Sequence, residues 1–189
     1  MLGLINQKLI DWSHSWRVYL LVVLGQAITL SALLNISQQM ADINGFQAFD
    51  MQNELTVQQI FAQLPQYTDE SFRLYYLFTA IDYVFPVVAG LVLAIASVFF
   101  MRYSFPALHA RLAELKLYPL LLLGTLFDFM ENIFLLSTML AFPNEAEGIA
   151  TMAIVFKKCK LTMITVSGGL TLVLAIISLF SLIRRRLSR

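Results

Sequence analysis

The chain has 189 residues, 59% hydrophobic and 13% charged, with a mean hydropathy of +0.73. A water-soluble domain of this length has no core large enough for that much apolar surface, so composition places the chain among integral membrane proteins. A net charge of +1 suggests neither nucleic acid nor an acidic substrate as partner, and the single cysteine, Cys159, excludes an intramolecular disulfide.

Residues 1–16 contain LINQKLIDWSHSW, which places Leu2, Ile5, Leu9, Trp12 and Trp16 along one stripe. That pattern predicts an interfacial helix anchored by its two tryptophans. Residues 18–36 form a first apolar span. The following NISQQMAD is a poor cleavage site, so the span reads as a retained helix and not a signal peptide.

Residues 37–75 are the one long link. Within LTVQQIFAQL, Val57, Ile60, Phe61 and Leu64 recur at helical spacing, Pro65 ends the pattern, and Thr68 is placed to cap a helix that runs into span two. The link is expected to form a helical lid over one mouth of the bundle, with a solvated spacer as the plainer alternative.

Span two, residues 76–101, carries Asp82 on a face with Tyr75, Phe78, Thr79, Pro86, Ala89 and Leu93. Pro86 has no N–H to give the Asp82 carbonyl, and Ala89 and Gly90 permit close helix approach, so a kink is expected there. Span three, residues 117–142, contains LFDFMENIF. At about 100° per residue, Asp128, Glu131, Asn132, Gly124 and Thr125 share one face, while Phe127, Phe129, Met130 and Phe134 cover most of the rest. A charge at the bilayer centre costs about 2.5–3.5 kcal/mol on the mildest scale, so this face must meet other helices. Span four, residues 161–183, follows a lysine cluster. Lys158 shares a face with Thr151, Thr162, Thr165 and Gly169, which looks inward; Lys157 shares a less polar face with Ile154, Leu161, Ile164 and Gly168.

Nine of the thirteen basic residues fall on one side of four spans: Lys8, Arg17, Arg102, Arg111, Lys116, Arg184, Arg185, Arg186 and Arg189. The positive-inside rule then puts both termini in the cytoplasm. The expected fold is all-α: a single membrane domain over residues 1–189, a four-helix transmembrane bundle with a long helical outer link. Counting about 1.5 Å per residue from the basic ends puts Asp128 at roughly 18 Å, Glu131 at roughly 22 Å and Asp82 at roughly 30 Å, a descending series.

The leading functional expectation is an intramembrane carboxylate site in the outer half of the bilayer. Asp128 would be the proton donor, Glu131 or Asp82 its ionised partner, and Asn132 the group that orients a small lipidic, isoprenoid or amine ligand. Lys157 or Lys158 would reach in, and a tyrosine among Tyr75, Tyr76 and Tyr83 could touch the ligand. Alternatives stay open: a structural hydrogen-bond knot, a proton- or cation-coupled transporter or channel subunit, and a non-catalytic assembly partner of a membrane complex. Whether such a site is enzymatic is not decided by sequence. No His- or Cys-based metal motif, phosphate loop or nucleophile elbow is present, so neither a metal nor a cofactor is expected. Membrane lipids are the expected surroundings, no nucleic acid is expected, and a homo-oligomer or a membrane-complex partner is left open.

The pattern Phe49-Asp50, Arg73, Tyr76, Asp82-x-x-Phe85-Pro86, Asp128-x-x-Glu131-Asn132 and Lys157 or Lys158 resembles a widespread group of small bacterial four-span membrane proteins of unknown function. That resemblance implies a bacterial inner-membrane location and adds Arg73 and Tyr76 to the candidate ligand-binding residues. Asp82-x-x-Phe85-Pro86 is also similar to the emopamil-binding-protein-like (EXPERA) domain, which implies a membrane cavity whose carboxylates hold a cationic group.

Overall fold

Three of the helix starts follow side chains that satisfy free backbone N–H groups. The computed structural model describes residues 1–187 and shows no strand among them. Helix α1 covers Leu2–Trp12 and α2 covers Trp16–Asn44. Ser15 caps α2 by accepting from the Val18 N–H, and Gly45, at φ +82°, ends it in a conformation that side chains other than glycine's resist. Helix α3, Val57–Gln63, opens with a capping box between Thr56 and Gln59, and a 3-10 turn at Leu64–Gln66 follows around Pro65. Thr68 caps α4, Asp69–Asp82, as its position suggested.

The expected kink becomes a break. Turn residues Tyr83 and Val84 separate α4 from α5, Phe85–Ser104, because Pro86 cannot continue the hydrogen-bond ladder of α4. A short α6, Pro106–Glu114, and a 3-10 stretch at Tyr118–Leu122 lead into α7, Leu123–Ala141, and then α8, Glu147–Leu187. Lys157 and Lys160 therefore lie well inside α8, not ahead of it. The side chains of Arg184, Arg185, Arg186 and Arg189, which the orientation argument used, lie outside the described residues.

Four helical stretches are long and apolar enough to cross a membrane: Trp16–Asn44, Asp69–Ser104, Tyr118–Ala141 and Glu147–Ser181. Three of them extend an expected span at one or both ends, and Tyr118–Ala141 falls one residue short of the expected span three at each end. Their outward faces are apolar, with Ile28, Leu140 and Leu172 all more than 60% exposed, a surface suited to lipid as solvent. The α1 stripe is only partly as expected. Trp16 opens α2 and is exposed, since the turn at Ser13–Ser15 interrupts the pattern. Leu9, from the stripe, and Asn6, from outside it, are buried: Asn6 donates to the Ala113 carbonyl and accepts from the Tyr118 N–H, docking α1 against α6 and the 3-10 stretch that leads into α7.

Helix α7 lies along α8, α8 against α5, and both α4 and α5 against α2. Four layers follow along these helices. At the link end, Phe49, Ile60, Leu64, Tyr75, Phe78, Leu135, Met139, Ala150 and Ala153 form an apolar core under the link. Next comes a layer of charged groups. Below it lies a cavity among α5, α7 and α8, and then a second apolar core built from Leu9, Ala94, Ile95, Val98 and Tyr118.

Gly90 marks the close approach of α5 and α7. A Cβ there would collide with Thr125 Oγ1, whose hydroxyl donates to the Pro86 carbonyl at 2.8 Å. Gly90→Ala is expected to lower the melting temperature by turning that hydroxyl away, a loss of about 1 kcal/mol despite the better helix propensity. Thermal melts should show the loss shrinking in a Thr125→Ala background, where the obstacle is gone.

Candidate functional site

The charged layer draws on four segments. Asp50 comes from the 3-10 turn Phe49–Met51 of the link, Asp82 from the last residue of α4, Asp128, Glu131 and Asn132 from α7, and Lys157 and Lys160 from α8. Packing fixes the turn that carries Asp50. The Phe49 ring is fully buried, stacked on Tyr67 at 5.5 Å and edge-on to Tyr75 at 5.6 Å, and the Ala48 N–H donates to Ser37 Oγ.

Glu131, with 0% exposure, joins both lysines. Its Oε1 accepts from Lys157 Nζ at 3.0 Å; its Oε2 lies 2.6 Å from Lys160 Nζ, an ion pair off the hydrogen-bonding direction. Lys157 Nζ also donates to the carbonyls of Phe49 and Asp50, at 3.0 and 2.8 Å, so one ammonium holds the link against α8. Lys160 Nζ is 2.5 Å from Asp50 Oδ1 and 3.4 Å from Asp128 Oδ1. Asn132 Nδ2 donates to Asp82 Oδ2 at 2.7 Å, tying α7 to α4. Asp82 Oδ1 is buried and has no hydrogen-bond partner among the described residues. If all are ionised, four carboxylates face two ammoniums, a formal surplus of two negative charges.

Burial pushes the Asp50 carboxyl up, but the ammoniums of Lys160 and Lys157 outweigh it, and the group is held at about 2 against an ordinary 3.8.

The cavity below this layer has a volume of about 330 Å³ and is walled by Pro86, Ala89, Gly90, Leu93, Leu121, Gly124, Met163, Ile164 and Gly168, among others. Asp128 is the one ionisable group on its wall among the described residues; Gln26, Thr125 and Ser167 add polar atoms. Asp128 Oδ2 makes no hydrogen bond among the described residues. A second cavity, about 290 Å³, lies at the turn between α1 and α2 among Trp12, Trp16, Tyr19, Phe99 and Phe100, and no residue of the charged layer lines it.

Asp82, Asp128, Glu131 and Asn132 thus lie in one buried layer, and Lys157 joins them. Three expectations are corrected. Lys158 is exposed, while Lys157 and Lys160 point inward. The threonines that made the Lys158 face look inward satisfy themselves on their own helix: Thr151, Thr162 and Thr165 each donate to the carbonyl four residues earlier. Arg73 and Tyr76 are exposed, and the buried tyrosine of that turn is Tyr75. The carboxylates also form no descending series. One oxygen each of Asp50, Asp82 and Asp128 lies within 4.8 Å of the other two. Counting residues treats basic residues on different helices as one plane, and the break at Tyr83–Val84 and the 3-10 stretch at Tyr118–Leu122 both upset that ruler.

Asp50, which stood only in the resembling pattern, and Lys160 were not among the expected site residues. A signal for the lysine existed: Ala150, Ala153, Lys157, Lys160, Ile164, Ser167, Thr171, Leu174 and Ser178 alternate by three and four along α8, the spacing of a packed seam.

The fold and this layer define an all-helical chain with the architecture of a multi-pass membrane protein and a charged cluster enclosed among its helices. Comparison with protein-family models, curated proteins and solved structures finds no match.

Removing one partner of a buried ion pair costs about 3–5 kcal/mol. Lys157→Met is expected to fall in that range by thermal melting in detergent, whereas Lys158→Met should stay near wild type. For Asp50, whose folded value is depressed, the stabilisation is complete above its unfolded value of 3.8 and is lost as pH falls towards about 2. The melting advantage of wild type over Asp50→Asn should therefore be full at pH 5 and shrink steadily below pH about 4.

Proposed function

We propose that this chain is a multi-pass protein of the bacterial inner membrane, a four-helix bundle with both termini cytoplasmic. In this reading it binds a small lipidic, isoprenoid or amine molecule at the carboxylate layer and acts on it by acid–base chemistry. One observation carries the reading: Asp128 belongs to the ion network through Oδ1 and also lines the apolar cavity. A polar or cationic head and an apolar body would thus find their complements side by side, the usual composition of a small-molecule site.

Roles follow from the neighbours. Asp128, with one oxygen unengaged, meets the ligand and gives or takes the proton. Glu131, held by Lys157 and Lys160, and Asp82, held by Asn132, supply fixed charge beside it. The resemblance at Asp82-x-x-Phe85-Pro86 to the EXPERA domain is consistent with carboxylates facing a cationic group. Arg73, Tyr76 and Lys158 have no part in this version of the site.

A second reading, proton or cation passage, is favoured by hydroxyls beyond the cavity. Ser97 and Thr171 are 2.6 Å apart and Ser104 and Ser178 are 2.7 Å apart, extending a polar row between α5 and α8 away from Asp128. Several of these hydroxyls also bond backbone carbonyls, as in ordinary helix packing, so the row ranks behind the cavity.

Asp128→Asn decides among these. Lys160 keeps Asp50 and Glu131 as partners in this variant, so the protein should melt within about 1 kcal/mol of wild type yet lose a co-purifying small molecule in native mass spectrometry. Loss of folding in Asp128→Asn, Glu131→Gln and Asp82→Asn alike would reduce the layer to a structural knot. Proton flux in proteoliposomes that Asp128→Asn abolishes would instead favour passage.

A further inference from the structure

We propose that Asp50, Asp82 and Asp128 form a site for a hard divalent cation of the Mg²⁺, Ca²⁺ or Mn²⁺ kind, and that the Lys160 ammonium competes with that cation for it. The three carboxylates come from separate segments, and one oxygen of each lies within 4.8 Å of the other two. Metal–oxygen distances of about 2.0–2.6 Å put opposite ligand oxygens about 4–5 Å apart, so the three fit around one ion. An all-oxygen donor set selects hard cations over zinc or copper.

A second observation concerns one of the same three carboxylates. Asp82 is 1% exposed, and its Oδ1 is buried without a hydrogen-bond partner while Oδ2 is taken by Asn132. A buried carboxylate oxygen left unpaired is costly, and a bound cation removes that cost. With all four carboxyls ionised, the surplus of two negative charges in the layer equals the charge of one such ion.

Lys160 fills part of this space, with Nζ on Asp50 and Asp128. It can yield without being stranded, because Glu131 Oε2 stays 2.6 Å away as its counter-ion. Asp50 keeps its place during the exchange, since Lys157 holds the backbone carbonyls of Phe49 and Asp50 whatever the Asp50 side chain does. Asp50 is also the most accessible of the three, its side chain 12% exposed, which gives the ion entry from the link.

The site shares Asp128 with the ligand cavity but does not depend on that cavity holding a ligand. Its test reads metal alone: full-length protein in detergent, stripped with chelator, titrated with Mn²⁺ and followed by the loss of the free Mn²⁺ EPR signal, with Mg²⁺ and Ca²⁺ as competitors. Expected are one saturable site per chain, weakening by about tenfold or more in Asp82→Asn, and tightening in Lys160→Met, where the competing ammonium is gone. A gain of affinity cannot come from misfolding, so Lys160→Met decides the matter if Asp82→Asn does not fold. Absence of saturable binding in both wild type and Lys160→Met overturns the proposal. So does Mn²⁺ binding that Lys160→Met leaves unchanged, or that folded Asp82→Asn leaves unchanged.

Discussion

The arrangement depends on one carboxylate holding two ammoniums. Glu131 is fully buried, bonded to Lys157 through one oxygen and paired with Lys160 through the other. Neither lysine would be tolerated at that depth alone, because an unpaired charge in an apolar interior costs several kcal/mol. Once paired, each lysine has protons left over for other acceptors. Lys157 spends them on the Phe49 and Asp50 carbonyls, and Lys160 approaches the side chains of Asp50 and Asp128. The position of the link is thus a consequence of charge satisfaction inside α7 and α8.

Apolar packing makes that geometry rigid. Above the charged layer, Phe49 sits between Tyr67 and Tyr75 and fixes the turn that delivers Asp50. Below it, Gly90 and Gly124 bring α5, α7 and α8 close enough to wall a cavity without filling it. The layers are therefore ordered by cost. Charge sits where the bundle can surround it, and open space lies directly beside Asp128, a carboxylate with an oxygen to spare. A site that needs both a dry surrounding and an accessible polar group has to be built at such a boundary.

Much of this was legible because periodicity and capping are local. The apolar runs announced four long helices, Thr68 marked the start of α4, and Pro86 marked a kink after Asp82 that the structure carries through to a break. The face shared by Asp128, Glu131 and Asn132 followed from 3.6 residues per turn, and all three are buried. The choice between Lys157 and Lys158 stayed open because threonine was weighed as an inward-seeking residue. In a helix facing lipid, its hydroxyl can be satisfied by its own backbone, so its presence says nothing about direction.

By itself the sequence determined the all-helical class, the number of long apolar helices and the helix face on which span three carries its acids, since each depends on neighbours a few residues away. Only tertiary structure decided that Asp50 joins Asp82 and Asp128, that Lys157 and Lys160 turn inward, and that a cavity opens beside Asp128. Those facts depend on how a link of two dozen residues folds back over four helices. No local periodicity encodes that return; the meeting of charges more than a hundred residues apart, Asp50 with Lys160, does.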